Sequence, residues 1–277
     1  MNISESSEKI TVSLENNSEI SEKFGEIKYR AKIIEISEEK TIFSVNEEIY
    51  EIYIGGSKNV ENALLAVALA RSLKISPEKI QQGFNSLKTI PGRMEKIVLQ
   101  NKTQTSEKTQ KFPRKFSVFV DYAHEKLSMD FLMNTGKIMI QNMKTPQKKS
   151  RIIVLLGAEG GGRDPAKRAI MGEIVAHKAD IVIVSNVDPY EDNPTEIVED
   201  IAVSVEKNSN KKRGEDLFVI EDRRSGIAKC LELANAGEDD IVFITGKGSE
   251  QSIVIDGISR PWDDRTVVRE ELEKIRT

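Results

Sequence analysis

The sequence predicts an α/β protein in which a mostly parallel sheet with helices on both faces is preceded by small antiparallel strands and two helices. Five short runs rich in Val, Ile, Leu and Phe predict the sheet, because each is apolar throughout, as strands covered on both faces are. Helical stretches separate these runs, and such alternation is typical of a doubly wound, Rossmann-like sheet. The runs are FSVFV (116–120), RIIVLL (151–156), DIVIVS (180–185), DLFVI (216–220) and DIVFIT (240–245).

The segments after these strands carry their own start and turn signals. In NPTEIVEDIAVSVEK, Asn193 stands at an N-cap position, Pro194 at N1 and Glu196 at N3. After the fifth run, SIVIDGISRPW predicts a hairpin that turns at Asp256-Gly257. The stretch DRTVVREELEKI then predicts a closing amphipathic helix.

The first hundred residues predict a different arrangement. KYRAKIIEIS, KTIFSV and EIYEIYI indicate a small antiparallel set of strands, and NVENALLAVALARSLKI (59–75) indicates a largely apolar helix. A second helix begins with Ser76 as its cap and Pro77 at N1. The polar stretch 101–115 is typical of a linker or exposed loop. We therefore expect two domains, 1–112 and 113–277.

Composition excludes several classes of protein. With 38% hydrophobic and 31% charged residues among 277, and no apolar run near the roughly 18 residues of a membrane helix, the chain is typical of a soluble globular protein. The polar first 22 residues lack the features of a signal peptide. One cysteine, Cys230, rules out an internal disulfide, and the net charge of -4 argues against nucleic-acid binding. We expect a cytoplasmic protein with neither a membrane nor a nucleic acid as partner.

Polar clusters follow all five strands of the predicted sheet. Ligands of open parallel sheets bind beyond the carboxyl ends of the strands, so these clusters predict a site at that edge. The alternative is that each loop is polar only because loops lie in water. The clusters are DYAH (121–124), GAEGGGRD (157–164), NVDPYED (186–192), EDRR (221–224) and GKGSE (246–250).

Neither glycine-rich loop matches a nucleotide motif. A P-loop requires G-x-x-x-x-G-K-[ST], yet Arg163 stands where the lysine belongs, and Gly248 separates Lys247 from Ser249. The dinucleotide pattern G-x-G-x-x-G is also missing. Consecutive glycines with Arg163, Lys167 and Arg168 suit a carboxylate better than a triphosphate.

Seven motifs in one order carry a family resemblance. The chain resembles the carboxyl-terminal half of the Mur ligases, ATP-dependent amide ligases that add amino acids to the UDP-muramoyl peptide of peptidoglycan, and most resembles the branch that adds the third residue. The motifs are NVENALLAVALA (59–70), PGRMEKI (91–97), VDYAH (120–124), GGGRDPAKRAIMGEIV (160–175), NVDPYEDNP (186–194), TGKGSE (245–250) and WDDRTVVREEL (262–272).

The resemblance implies roles for particular residues. Residues 1–112 would be part of the central ATPase domain and 113–277 the carboxyl-terminal domain. The ATP-binding positions are Asn59 and Asn62 near the adenine, Arg93 facing the nucleotide, and Asp121 at the ribose with Tyr122 and His124 beside it. The positions that hold the incoming amino acid are Arg163, Asp188 and Tyr190 of the segment 187–190, Gly246 and Glu250. The implied reaction is phosphorylation of the muramoyl-peptide carboxylate by ATP, followed by attack of the amine on the acyl phosphate.

Structural roles are open alternatives for several of these residues. Asn59 and Asn62 could cap a buried helix, and Asp121 with His124 could be a hydrogen-bonded pair. Arg93 could lie on the surface beside a turn, and Glu250 could cap a helix. His177 and Trp262 are assigned no ligand role.

Two substitutions bear on the amino acid that is added. Family members that add diaminopimelate carry Asp-Asn-Pro-Arg, whose arginine pairs with the distal carboxylate, whereas this chain has Val187, Asp188, Pro189 and Tyr190. Asp188, or Glu191 and Asp192, would better suit a lysine-like ammonium. Ser249 replaces the histidine of Gly-Lys-Gly-His-Glu.

The resemblance also identifies parts that this sequence lacks. It contains no Gly-Lys-[Ser/Thr], and the magnesium-binding acids, the modified lysine and the UDP-binding domain of the family are missing. The family implies ATP and magnesium, but this chain by itself should not turn over, because phosphoryl transfer depends on the metal and on clamping of the γ-phosphate. A central-domain remnant would leave unpaired strand edges, which predicts poor solubility or a partner chain.

Three hypotheses follow. The chain is the carboxyl-terminal part of a ligase that works beside a separate amino-terminal chain; or it is a non-catalytic module that binds an amino acid or adenosine; or it is a nucleotide-dependent enzyme of another class, such as an oxidoreductase. The missing dinucleotide pattern disfavours the third.

Overall fold

A computed structural model describes residues 12–14, 29–99, 116–143, 150–237 and 239–276. The chain forms two compact units, Met1–Thr89 and Ile90–Thr277, which are described separately below. The domain boundary expected at residue 112 and the polar stretch 101–115 lie outside the described residues. That boundary stays a prediction.

The first unit contains a four-stranded sheet and two helices. Its strands are β1 (Val12–Leu14), β2 (Tyr29–Ile36), β3 (Thr41–Val45) and β4 (Glu48–Ile52), and its helices are α1 (Ser57–Ser72) and α2 (Pro77–Ser86). The strands lie in the order β1-β2-β3-β4, with β2, β3 and β4 antiparallel and β1 parallel to β2. The small antiparallel set and the two helices are thus confirmed.

The core of this unit is built around three aromatic rings. Phe43, Tyr50 and Phe84 lie with ring centroids 5.8 to 6.4 Å apart, and α1 packs Val60 and Val67 into the same cluster. Helix α1 ends at residue 72, three residues before the predicted end at 75. The cause is local, since Lys74 adopts a positive φ of 61°, which an α-helix does not accommodate.

The second unit is built on a six-stranded sheet with the order β5-β6-β10-β7-β8-β9. Strands β6 to β10 pair with one another in parallel, and the two-residue strand β5, which the sequence did not predict, pairs antiparallel with β6. Every residue of β7, β8 and β10 is buried, which explains why β7 and β8 are apolar throughout and why β10 is apolar between Asp240 and Thr245. The strands are β5 (Glu95–Lys96), β6 (Phe116–Asp121), β7 (Ile152–Leu156), β8 (Ile181–Val184), β9 (Leu217–Val219) and β10 (Asp240–Thr245).

Helices cover this sheet and a hairpin follows it. Asn193 caps its helix as predicted, because its side-chain oxygen accepts a hydrogen bond from Thr195 N at 3.0 Å. The hairpin turns at Asp256 and Gly257, both at positive φ (54° and 67°), as a tight two-residue turn requires. The elements are α3 (Lys126–Gln141), α4 (Ala166–Lys178), α5 (Pro194–Asn208), α6 (Arg223–Asn235), β11 (Ser252–Ile255), β12 (Ile258–Pro261) and α7 (Asp264–Arg276).

The topology of this sheet decides where the polar clusters lie. Because β6, β10, β7, β8 and β9 are parallel neighbours, the loops after all five strands emerge at one edge. Strand β10 lies between β6 and β7, so GKGSE lies between DYAH and GAEGGGRD although it is distant in sequence.

Candidate ligand site at the carboxyl edge of the sheet

Tyr122 connects several of the predicted site residues. Its hydroxyl donates a hydrogen bond to Glu250 Oε1 at 2.7 Å, and the Arg93 guanidinium lies over its ring, 4.9 Å from the centroid. The His124 ring meets it edge to face at 4.6 Å. The hydrogen bond to Glu250, together with burial, raises the pKa of Tyr122 to about 12. One side chain therefore contacts residues from three loops.

Asp121, the last residue of β6, is held by backbone groups on both oxygens. Oδ2 accepts from Met94 N and Oδ1 from Ala123 N, each at 2.8 Å. Burial raises the pKa of this carboxyl, and the two N–H donors oppose the rise. His124 Nδ1 lies 2.7 Å from the carbonyl oxygen of Tyr122, so the predicted Asp121 and His124 pair is not hydrogen-bonded through that nitrogen.

Lys247 is a fully buried charged residue at this edge. Its side chain is 1% exposed, and Nζ donates to Asp188 Oδ2 at 2.6 Å and to Glu250 Oε2 at 2.9 Å. The other Asp188 oxygen accepts from Val254 N at 2.7 Å. We call Lys247, Asp188 and Glu250 the Lys247 triad. Both Asp188 oxygens are thus engaged within the protein, and Glu250, 30% exposed, is the most exposed member of the triad.

Two glycines allow the turn 90–95 to touch the loop after β10. A Cβ on Gly92, whose φ is +64°, would lie 2.2 Å from the carbonyl carbon of Gly248. Glu95 fixes the turn, since its Oε2 accepts from Gly92 N at 2.9 Å and its Oε1 lies 3.2 Å from Arg269 of α7. This packing holds the turn that carries Arg93 against Tyr122.

The glycine-rich loop after β7 lies against the segment after β8. Gly160 N donates to Asp188 O at 2.8 Å, and a Cβ on Gly161 would meet the Tyr190 ring at 2.9 Å. Arg163 extends toward solvent and pairs with Glu159 at 3.2 Å. A cleft opens beside this loop, lined by His124, Gly157, Ala158, Glu159, Arg163, Asp164, Lys167, Met171 and Val187.

A buried ion pair beneath the loops was missed by sequence reasoning. Arg223 and Asp264 are joined by two hydrogen bonds, at 2.8 and 2.6 Å, with both side chains at most 1% exposed. Arg223 also donates to Asn186 O, two residues after the end of β8, and to Thr245 O, the last residue of β10. The charged cluster EDRR after a strand was a visible signal, but its partner lies 41 residues further along the chain.

Asn59 and Asn62 belong to the first unit. Asn59 Nδ2 donates to Gly55 O at 2.6 Å, and Asn62 is exposed on α1. The N-cap of α1 is Gly56, with no side-chain cap hydrogen bond, so neither asparagine caps the helix. Both predicted ATP-binding roles remain predictions.

The part of the chain that the structure describes contains neither a metal-binding group nor a helix that could span a membrane. Among residues 12–14, 29–99, 116–143, 150–237 and 239–276, no group of three or more His, Cys, Asp or Glu side chains is placed to hold a metal ion. Within the same ranges no helix is long and apolar enough to cross a membrane.

The second unit is a doubly wound α/β domain whose cationic, acidic and glycine-rich loops gather at one edge, as in ligand-binding domains of this class. The family model for "Mur ligase, glutamate ligase domain" matches residues 92–248. The chain belongs to the Mur ligase family, and the resemblance inferred from the motifs is confirmed.

Curated relatives carry names of two related kinds. The UDP-N-acetylmuramoyl-L-alanyl-D-glutamate–2,6-diaminopimelate ligase 1 of Clostridium acetobutylicum is 30% identical over 228 residues, 82% of this chain and 41% of that protein. The UDP-N-acetylmuramyl-tripeptide synthetase of Treponema denticola is 35% identical over 225 residues, 80% of this chain and 37% of that protein. The chain thus spans less than half the length of these relatives.

Solved structures support the fold. A UDP-N-acetylmuramoyl-L-alanyl-D-glutamate–2,6-diaminopimelate ligase superimposes with a TM-score of 0.58 at 24% identity, covering 97% of this chain and 48% of the other. The UDP-N-acetylmuramate-alanine ligase of Thermotoga maritima gives 0.59 at 15% identity, covering 96% and 51%. At these identities the likeness establishes the architecture, and the α/β fold class is confirmed.

Proposed function

We propose that this chain acts as the carboxyl-terminal part of an ATP-dependent ligase that adds an amino acid to UDP-N-acetylmuramoyl-dipeptide in cytoplasmic peptidoglycan precursor synthesis. The observation that carries the proposal is the position of Tyr122, whose ring contacts Arg93 and His124 and whose hydroxyl bonds to Glu250. The residues assigned to the nucleotide and to the amino acid therefore meet at one side chain, as bond formation between the two substrates requires.

Within the second unit the nucleotide side would be formed by Arg93, Asp121, Tyr122 and His124. The ATP-binding roles of Asn59 and Asn62 stay separate predictions. A guanidinium over an aromatic ring is a preformed cation whose fork geometry matches phosphate oxygens. Each oxygen of the Asp121 carboxylate already accepts one backbone N–H, from Met94 or from Ala123. Ribose hydroxyls would therefore donate to the remaining lone pairs of these oxygens. That geometry is compatible with one or two additional hydrogen bonds.

The amino-acid side would be formed by Arg163, Tyr190, Gly246 and Glu250, with Asp188 behind them. Arg163 is an exposed cation beside the cleft and suits the α-carboxylate, whereas Glu250 is an acceptor suited to an amine. In the proposed reaction, ATP phosphorylates the muramoyl-peptide carboxylate, and the amine attacks the acyl phosphate and expels phosphate. Phosphorylation converts a poor leaving group into a good one.

The groups that clamp the γ-phosphate would come from residues outside this sequence. No Gly-Lys-[Ser/Thr] occurs in its 277 residues. The carboxylates of the buried Asp188 and of Glu250 at the rim are both engaged by Lys247, so they do not form a ready magnesium site. We assign no residue of this chain to magnesium, and we propose that the Gly-Lys-[Ser/Thr] loop is supplied by another segment or a separate chain.

We further propose addition of the third residue of the stem, with an amino acid that lacks a distal carboxylate. The relatives named as diaminopimelate ligases and tripeptide synthetases support this step. Tyr190 stands in the place of the family's carboxylate-pairing arginine, and its ring packs on Gly161 rather than offering a cation. A lysine-like amino acid fits this arrangement better than diaminopimelate.

A mixing assay tests the proposal. The chain is incubated with ATP, UDP-N-acetylmuramoyl-L-alanyl-D-glutamate and a panel of amino acids, alone and with each Gly-Lys-[Ser/Thr]-bearing candidate chain from the same genome. We expect phosphate release and a tripeptide product only in the mixture, and greater activity with lysine than with diaminopimelate.

Two outcomes would contradict the proposal in different ways. Phosphate release by this chain alone would show that the external P-loop is not needed. Binding of an amino acid or of adenosine in calorimetry, with no product in any mixture, would instead identify the non-catalytic binding module. The matched control is Glu250→Gln, which should abolish product formation while leaving the fold intact.

A further inference from the structure

Lys247 is buried and paired with two acids, an arrangement that the sequence motifs did not predict. Its ammonium lies between the carboxylates of Asp188 and Glu250, at 2.6 and 2.9 Å, and its side chain is 1% exposed. Burying an ammonium is costly unless it is paired, and here two acids pair it. The Lys247 triad therefore carries one net negative charge, and Glu250, 30% exposed, is the member through which that charge reaches solvent.

The backbone around Lys247 directs its side chain inward. Gly246 and Gly248 have φ values of +107° and +56°, a region that glycine adopts freely and other residues rarely do. A Cβ on Gly246 would meet Val187 at 2.9 Å, and one on Gly248 would meet Tyr122 at 2.7 Å. The Gly-Lys-Gly sequence thus fits a loop in which only the middle side chain has room, and that room is toward Asp188.

Each oxygen of Glu250 has its own partner. Oε1 accepts from the Tyr122 hydroxyl and Oε2 accepts from Lys247 Nζ. Two donors on different oxygens fix the plane of the carboxylate, and each oxygen keeps a lone pair for a further donor. The hydrogen bond from Val254 N fixes the orientation of the Asp188 carboxylate. Asp188 therefore anchors the Lys247 ammonium on the side away from solvent.

From this geometry we propose that Lys247 is a positioning residue: anchored by Asp188, it holds the Glu250 carboxylate at the rim in the orientation that accepts the amino group of the incoming amino acid. The inference rests on the proposed function for the identity of that ligand. It assigns Asp188 a role through Lys247, behind the substrate, and it explains why an acid stands at this position.

Kinetics of the reconstituted ligase test the inference. Lys247→Met keeps the length of the side chain and removes the ammonium, so the KM for the amino acid should rise about tenfold or more while the KM for ATP stays within about twofold, as expected for a displaced substrate ligand. The control is Lys229→Met, which removes another lysine paired to a glutamate three residues on, Glu232, within helix α6. It should leave both KM values unchanged.

A second variant separates positioning from folding. Lys247→Met leaves two carboxylates without their cation and could destabilise the chain, whereas Lys247→Met combined with Asp188→Asn removes the buried pair together. The double variant should recover thermal stability but keep the raised KM. If restored stability also restores the KM, Lys247 has only a structural role and the inference is wrong.

The isolated chain offers a readout that does not require activity. With tyrosines labelled at 13Cζ and the Tyr122 signal identified by Tyr122→Phe, the wild-type phenol should stay protonated at pH 11, in keeping with its pKa of about 12. In the double variant Glu250 is free to turn away, so the pKa should fall toward the ordinary value of about 10. An unchanged Tyr122 titration would overturn the inference. If the wild-type mixture makes no product, the proposed function fails, and this titration alone decides whether Lys247 positions Glu250.

Discussion

At the scale of single residues, ion pairs organise the carboxyl edge of the sheet beneath its exposed loops. Arg223 donates to Asp264, to the carbonyl of Asn186 in the loop after β8 and to that of Thr245 at the end of β10. Trp262 Nε1 donates to the same Asp264 oxygen as Arg223 Nε, at 2.8 Å. Such a pair is costly to break, because removing one partner leaves an uncompensated buried charge. The pair therefore holds two loops of the proposed site in register.

Replacement of Arg223 by methionine should lower the free energy of unfolding by about 3 to 5 kcal/mol, because Asp264 keeps only neutral donors. Urea denaturation followed by fluorescence of Trp262, the single tryptophan, measures this in the second unit. The matched control is Arg224→Met, whose partner Glu270 is exposed and whose buried partner Glu271 keeps its ion pair with Lys274, so the loss should cost less than about 1 kcal/mol. Equal effects of the two variants would refute this role of Arg223.

At the scale of elements, local sequence signals determine where some helices begin and tertiary contacts determine where others begin. The helix α5 begins where Asn193 and Pro194 indicate, because a cap satisfies backbone donors using only neighbouring residues. The start of α1 is different, since Gly56 occupies the N-cap and no side chain bonds there. Its position is set instead by packing of the helix on the aromatic core of the first unit.

The cap of α5 provides a quantitative test. Asn193→Ala removes the acceptor of Thr195 N and should destabilise the second unit by about 1 kcal/mol. Asn193→Asp keeps an acceptor and places negative charge at the helix N-terminus, so it should be neutral or slightly stabilising. Both are measured by the urea midpoint of Trp262 fluorescence. A similar loss in both variants would mean that the amide nitrogen, which lies 3.2 Å from Glu196 Oε1, matters more than the cap.

At the scale of the whole molecule, each unit has its own hydrophobic core. One is centred on Phe43 and Tyr50, and the other on the strands β6 to β10 with helices α6 and α7. A core that is closed within one unit is the physical condition for independent folding. The proposed site residues other than Asn59 and Asn62 all lie in the second unit.

Residues 90–277 expressed alone should therefore fold. We expect a single cooperative thermal transition and dispersed amide signals in a proton–nitrogen NMR spectrum, with the Tyr122 phenol still protonated at pH 11. Residues 113–277, which begin at the boundary expected from sequence, serve as the comparison. They lack the turn 90–95 and strand β5, so they should be less stable. Equal stability would place the boundary near 112 after all.

Much of the architecture could be predicted from the sequence for identifiable reasons. Uninterrupted apolar runs predict buried parallel strands, Asp256-Gly257 predicts its hairpin, and Asn193 predicts its helix start, because each signal acts over a few residues. The order of the strands in the sheet could not be predicted from such local signals. Nothing local to DIVFIT indicates that it lies between β6 and β7.

For the candidate site, too, some features could be predicted from the sequence and others could not. The sequence by itself determined the family, the fold class and which loops lie at the carboxyl edge of the sheet. Motifs and hydrophobic periodicity can be recognised from neighbouring residues alone. Only the tertiary structure decided that Lys247 lies between Asp188 and Glu250, and that Arg223 is paired with Asp264. The reason is physical: the partner of a buried charge is chosen by which loops the sheet brings together, and that choice has no signature in the spacing of residues.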